Sequence, residues 1–243
     1  MEAMCAAALE RGITCLGFAE HLDYNSQDYG FGYYNYAKYS DEVERLRDKY
    51  AGRLRILKGL EFGEPHQYPR EFEKQLTLDY DYILGSIHCI GNDFVGEPKF
   101  QKDHSVEAFY QTYYEEVRKA LEFGGFDVLA HLDFPKRYLK KDWYDATTME
   151  ALMKLTVQKE IALEVNTSSL RKGLNECCPG LDKVNLYIKA GGKRLILGSD
   201  AHCGADIGSD FERVSRGLKE ELGGDLFGIF EGRKFRNIYH DGR

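Results

Sequence analysis

Apolar positions along this chain fall into two alternating rhythms. Short, near-continuous apolar runs occur at 15–19, 55–60, 82–87, 126–130, 161–166 and 195–199. Each has the length of a strand, and an unbroken apolar run implies burial on both faces. Between them, apolar positions recur at helical spacing. Helices are predicted over 1–11, from an N-cap at Ser40-Asp41 to about Tyr50, and over 68–77, 106–123, 146–158, 179–190 and 206–222. Gly12, Gly124-Gly125 and Gly191-Gly192 stop three of them. Residues 24–39 read as a long aromatic loop, 90–104 as a second loop, and 227–243 as a tail without clear pattern.

Each apolar run closes on a polar side chain. The series is His21, Glu61, His88, His131, Glu164, and Asp200 with His202. Consecutive members lie 27 to 43 residues apart, the length of one βαβ unit. Strands alternating with helices give an α/β fold with a parallel sheet. Polar groups gathered at the C-terminal ends of successive strands are the pattern of a (β/α) barrel face. The alternative, a doubly wound open sheet, would concentrate its chemistry at one or two switch points.

Composition narrows the function. The 243 residues are 43% hydrophobic, enough for one barrel-sized domain. A net charge of −7 argues against nucleic acid as a partner, because phosphate backbones select basic surfaces. No apolar run approaches 18 residues, and the first helix lacks a basic leader, so neither a membrane span nor a signal peptide is expected. The six cysteines form no C-x-x-C pair, which suits reduced thiols in a cytoplasm.

Four of the seven histidines stand in the strand-end series. Imidazole mixed with carboxylate suits zinc, manganese or iron. Two such ions a few ångströms apart serve phosphoester hydrolysis, one generating a nucleophile and the other holding phosphoryl oxygens. His66, His104 and His240 lie off the pattern and receive no role. The aromatic loop 24–39 is either a cover that stacks on a ring-bearing substrate or a tyrosine-rich packing shell.

The motifs Gly17-Phe18-Ala19-Glu20-His21, Gly59-Leu60-Glu61, Gly85-Ser86-Ile87-His88, Ala130-His131-Leu132-Asp133, Glu164-Val165-Asn166 and Gly198-Ser199-Asp200-Ala201-His202 occur in this order. Together they resemble the polymerase and histidinol phosphatase (PHP) superfamily, most of all its bacterial histidinol-phosphate phosphatases. That resemblance implies a distorted seven-stranded (β/α) TIM-like barrel with up to three divalent metals. Glu61 would bridge two of them. His88 and His131 would complete the second, Asp200 would bind the first, and His21 with His202 the third. Glu164 and Asn166 would be pocket groups, Asn166 touching substrate, and Asp133 would orient a neighbouring histidine. The family holds phosphate with arginine, which places Arg137 and Arg171 on the substrate; Asp200, His202 and Arg137 would be catalytic.

The expected reaction is hydrolysis of L-histidinol phosphate to L-histidinol and phosphate by one domain spanning 1–243. The rivals are another PHP phosphoesterase, acting on nucleotides, phosphotyrosine or oligonucleotides, and a catalytically weak PHP-like scaffold. One departure stands out. The family opens with a strand ending in His-x-His, and no His-x-His occurs here. Six strands are therefore expected, in an N-terminally incomplete barrel whose open edge could support a homodimer.

Overall fold

The computed structural model describes residues 1–98, 105–223 and 226–238. His104 and His240 lie outside the described residues. Six parallel strands form one sheet: β1 (Cys15–Leu22), β2 (Arg55–Gly63), β3 (Tyr82–Ser86), β4 (Val128–Leu129), β5 (Ala162–Asn166) and β6 (Leu195–Gly198). They pair strictly in chain order, which sets aside the doubly wound alternative, where the strand order reverses. The sheet curls so far that the His21 ring, at the end of β1, lies 6.1 Å from that of His202, just beyond β6. The result is the six-stranded, barrel-like α/β arrangement expected from the strand-end series.

Alternation along each strand sorts the side chains. One parity, including Leu16, Phe18, Ile56, Leu60, Phe62, Ile83, Leu129, Leu163, Val165 and Leu195, joins the main core under the helices. The other parity points into the trough of the curled sheet. There Leu84, Val128, Ala130 and Ala162 pack with Phe230. Small residues are required on this side: a Cβ at Gly59 would lie 2.3 Å from the Tyr82 ring. Two residues further along the same parity stand Glu61 and Glu164, then His88 and Asp200. A one-residue slip in any strand would turn its polar end into the helical core.

Among the described residues the helices are α1 (Glu2–Glu10), α2 (Tyr36–Lys49), α3 (Pro69–Gln75), α4 (Val106–Phe123), α5 (Lys136–Leu139), α6 (Ala146–Gln158), α7 (Ser168–Arg171), α8 (Leu181–Lys189) and α9 (Phe211–Leu222). Among the described residues none is long and apolar enough to cross a membrane.

Several boundaries differ from expectation. Helix α2 begins five residues early, because the Asn35 side chain accepts the Lys38 N–H and caps it. Ser40 is left inside the helix, where its hydroxyl meets the buried Lys58 ammonium at 3.0 Å. Helix α9 begins at Phe211, not 206, because Gly208 and Asp210 turn the chain at positive φ first. The strand expected at 126–130 shortens to two residues. The second loop contains a small hairpin, Cys89–Ile90 against Asp93–Phe94.

The tail also folds as a hairpin, Gly228–Glu231 against Lys234–Asn237. It closes the lower end of the trough with Phe230 and Phe235, and Arg233 anchors it by pairing with Asp127 and donating to the Gly125 carbonyl at 2.7 Å. No helical or alternating pattern long enough to predict it exists in so short a segment.

Candidate metal centre

The open upper end of the trough is lined by the strand-end series. Glu61 is the hub. Its Oε1 lies 3.0 Å from His131 Nε2 and 3.2 Å from His88 Nε2, and its Oε2 lies 3.7 Å from His21 Nε2. The His88 and His131 Nε2 atoms are 3.5 Å apart. Three imidazoles therefore aim the same ring nitrogen at one buried carboxylate. Hydrophobic packing does not produce that convergence, whereas a cation seated among these atoms would satisfy all of them.

The electrostatics agree. Burial alone would raise the Glu61 carboxyl, but the imidazoles of His21, His131 and His88 outweigh it and hold Glu61 well below the usual carboxylate range. Glu61 in turn raises His21 to about 9. Burial pulls His88 down, yet Asp23, Asp28 and Glu61 together bring it well above an ordinary histidine. For His131 burial wins and its pKa falls. Glu164 is pushed up to about 8, by burial first and then by the charge of Glu61.

Asp200 sits beside this hub, two residues past β6. Its φ of +48°, like the +23° of His131, is unusual for a residue with a side chain. Such strain costs on the order of 1–3 kcal/mol and clusters at functional sites. The Asp200 carboxylate pairs with Arg137 Nη1 at 2.7 Å and accepts the Ser168 hydroxyl at 3.1 Å. His202 is exposed; its Nδ1 lies 3.1 Å from the Asp200 carbonyl. Asn166 donates to Glu164 at 3.2 Å, and Glu164 accepts the His131 N–H at 2.8 Å. These two brace the His131 turn.

Arg137 is buried in the short helix α5, its guanidinium 4.9 Å from the Phe134 ring centre. Its Nε and Nη2 are buried without a hydrogen-bond partner among the described residues. Buried guanidinium nitrogens without acceptors beside a polar trough fit an anion. Arg171 lies further out, holding the Ser199 carbonyl at 2.7 Å and Asp206 at 3.3 Å.

Asp133 does not meet the expectation of orienting a histidine. Its side chain turns away from the trough to pair with Lys136 at 2.8 Å and Lys183 at 3.3 Å. Residues without an assigned role stand close to the hub instead. Asp23 and Asp28 face His88, and Glu64 accepts the His88 and Cys89 N–H groups at 2.6 and 2.9 Å. Asp23 was detectable: it follows His21 by two residues, so in extended backbone it shares the face of His21. Asp28 was not, because its approach depends on how the aromatic loop folds back.

Fold and site together define a PHP-type hydrolase architecture, and comparison with known proteins agrees. The PHP domain model matches residues 1–168, more than half of the chain. A probable histidinol-phosphatase of Deinococcus radiodurans is 30% identical over 88% of this chain and 84% of its own length. The histidinol-phosphatase of Lactococcus lactis is 26% identical over 80% of this chain and 75% of its own. Among solved structures, the histidinol phosphate phosphatase of Lactococcus lactis, in complex with zinc, L-histidinol and phosphate, superposes with a TM-score of 0.84 at 22% identity. It covers 97% of this chain and 92% of the other. The chain belongs to the PHP domain family.

Proposed function

We propose that this chain is a metal-dependent phosphatase that hydrolyses L-histidinol phosphate to L-histidinol and phosphate. The observation that carries the reading is the division of labour at Glu61. One oxygen faces His88 and His131 and the other faces His21, which the family resemblance alone would have assigned to a third ion; such a carboxylate is placed to serve two divalent ions. Asp200 and His202 extend the ligand set toward further ions, up to three, with zinc, manganese or iron suited to these donors. Relatives at 30% and 26% identity that carry the histidinol-phosphatase name support the substrate.

Divalent ions bound there supply Lewis acidity and lower the pKa of water near the phosphorus. The chain's own residues do the rest. Glu61 stays ionised across the neutral range. Arg137 holds phosphoryl oxygens through Nε and Nη2, bracing the charge that develops on them. Phe134 packs against His88 and His131 at 5.0 and 4.8 Å and keeps water from the rear of the site. Tyr29, Phe94 and Tyr138 continue this aromatic wall outward, where an imidazole ring can stack.

The test is phosphate release by the purified chain supplied with zinc or manganese. L-histidinol phosphate is compared with phosphotyrosine and nucleoside monophosphates. The reading expects kcat/KM to be highest for L-histidinol phosphate and abolished by chelator. Preference for another ester would move the chain to a different phosphoesterase activity. Metal binding without any turnover would make it a scaffold.

A further inference from the structure

Asp23 is a buried carboxylate at the upper end of the trough. It lies one residue beyond β1 and shares the face of His21. Its side chain is fully buried, with Oδ2 3.4 Å from His21 Nδ1 and Oδ1 3.5 Å from His88 Nδ1. Neither oxygen has a hydrogen-bond donor of its own among the described residues. Asp28 Oδ2 also approaches His88 Nδ1, at 3.1 Å. Asp23 thus stands behind two imidazoles whose other nitrogens both point at Glu61.

The niche is built to hold it there. A Cβ at Gly30 would lie 2.2 Å from Asp23 Oδ2, and one at Gly63 would lie 2.3 Å from Oδ1. The loop is folded over the carboxylate by a backbone bridge between Asp23 and Phe31, by Gly30 N–H to Asp28 at 2.8 Å and by Asn25 to the Gly91 carbonyl at 3.0 Å. Two glycines on different elements leave room for this one side chain.

An imidazole binds a cation through one nitrogen only when the other carries the proton, and a carboxylate on the far nitrogen fixes which is which. We propose that Asp23 is a shared positioning residue. It keeps the proton on Nδ1 of both His21 and His88, so that both present Nε2 to the ions gathered at Glu61. Asp28 assists His88 alone. The proposal rests on the metal reading of the site given above. One carboxylate serving two ligands ties their orientations together, so removing it disturbs both ion positions on either side of Glu61.

The test uses 15N-histidine-labelled protein, comparing wild type with Asp23→Ala, Asp23→Asn and Asp28→Ala. Imidazole 15N–1H correlations are recorded on metal-free and zinc-loaded samples, and zinc affinity is measured by competition with a chelator. Asp23→Ala should shift the Nδ1–H signals of both His21 and His88 and weaken zinc binding about 10- to 100-fold. Asp28→Ala should move His88 only. Asp23→Asn, which keeps the shape and loses the charge, should fall between, and it carries the comparison if Asp23→Ala does not fold. Unchanged rings and affinity in the Asp23 variants overturn the proposal. So does a shift confined to one ring, or zinc on His88 Nδ1 beside Asp23 and Asp28, which would make the cluster a cation site of its own. If wild-type protein binds no zinc, the metal reading fails, while the metal-free spectra still decide whether Asp23 sets both rings.

Discussion

Two buried charged clusters grow from the same loop and differ in kind. His131 points into the trough, where Glu61 faces the nitrogens of three histidines and Arg137 keeps buried donors without acceptors. Two residues later Asp133 points the other way. There Lys136 and Lys183, both buried, close on Asp133, and Lys183 also pairs with Asp142. In the second cluster each buried ammonium meets carboxylates directly, Lys136 those of Asp133 and Glu176 and Lys183 those of Asp133 and Asp142. In the first, three imidazole nitrogens converge on one carboxylate, and two nitrogens of the Arg137 guanidinium beside them keep no acceptor. Buried charge matched by opposite charge holds a fold together. Buried donors and acceptors aimed at a common point leave room for a ligand. The two clusters should therefore fail differently when cut.

Glu61→Gln should have the largest effect. Because one carboxylate faces both sides of the centre, its loss should remove more than one ion per chain. Turnover should drop on the order of 10³-fold or more, since the lost charge stabilisation is several kcal/mol. Metal analysis after gel filtration, beside phosphate release, reads both. Full metal content in the variant would break the hub assignment and with it the contrast between the clusters.

Asp133→Asn should act on stability instead. It leaves two buried ammoniums facing a neutral amide, and stripping one partner from a buried pair costs about 3–5 kcal/mol. In a domain of this size that lowers the melting temperature by roughly 6–20 °C. Zinc content per folded chain should hold. A melting temperature near wild type would show that the flank cluster contributes far less than its burial suggests.

Arg137→Met is expected to act first on catalysis, although it also strips the mostly buried Asp200 carboxylate of its partner. Losing a charge-assisted hydrogen bond costs about 1.5–3 kcal/mol, roughly ten- to a hundred-fold in kcat/KM. Metal content should stay as in wild type. If kcat/KM is unchanged on every phosphomonoester the enzyme accepts, Arg137 serves only as the partner of Asp200.

Much of this arrangement is legible in the amino-acid sequence. Strand parity alone placed His21, Glu61, His88 and Asp200 on one face, because period-two alternation is a property of extended backbone; His131 has the parity of the core residue Leu129 and reaches the trough where the chain turns at positive φ. The sequential order of the sheet fits the even spacing of the strand ends. What escaped depends on contacts between elements remote in sequence. Asp133 reads like an orienting partner for its histidine neighbour. Its direction is set by Lys136, three residues on, and by Lys183, fifty residues later, and no local pattern reveals the second. The Asn35 cap competed with an equally plausible Ser40-Asp41, and core packing of Tyr39, Val43 and Leu46 chose between them. Asp28 reaches His88 only through the fold of the aromatic loop, and the tail hairpin is held by Asp127 at the far side of the sheet.

The smallest expected effect is a pH dependence confined to the first cluster. In chelator-treated protein, His21 is raised to about 9, chiefly by Glu61, so its ion pair contributes fully below pH 6.5 and is lost as pH rises through 9. Glu164, raised to about 8 by burial, acts in the same direction. The native state keeps its proton while the unfolded chain has released it, so stability falls between pH 4.5 and 8. The lowered pKa of His131 has the opposite sign, but it acts below 6.5, outside the shared window. Between pH 6.5 and 9 the metal-free chain should therefore lose stability, and His88, held above an ordinary histidine against its burial by Asp23, Asp28 and Glu61, adds to the loss. Urea midpoints across this range measure it. Glu164→Gln, which cannot ionise, should flatten the part of the slope below pH 8. Zinc should flatten or reverse the rest, because metal competes with protons for the same imidazoles and binds more tightly as they deprotonate. A metal-free chain whose stability holds or rises from pH 6.5 to 9 would mean that the centre does not store protons. Its convergence of imidazoles on Glu61 would then be as neutralised as the lysine cluster on the flank.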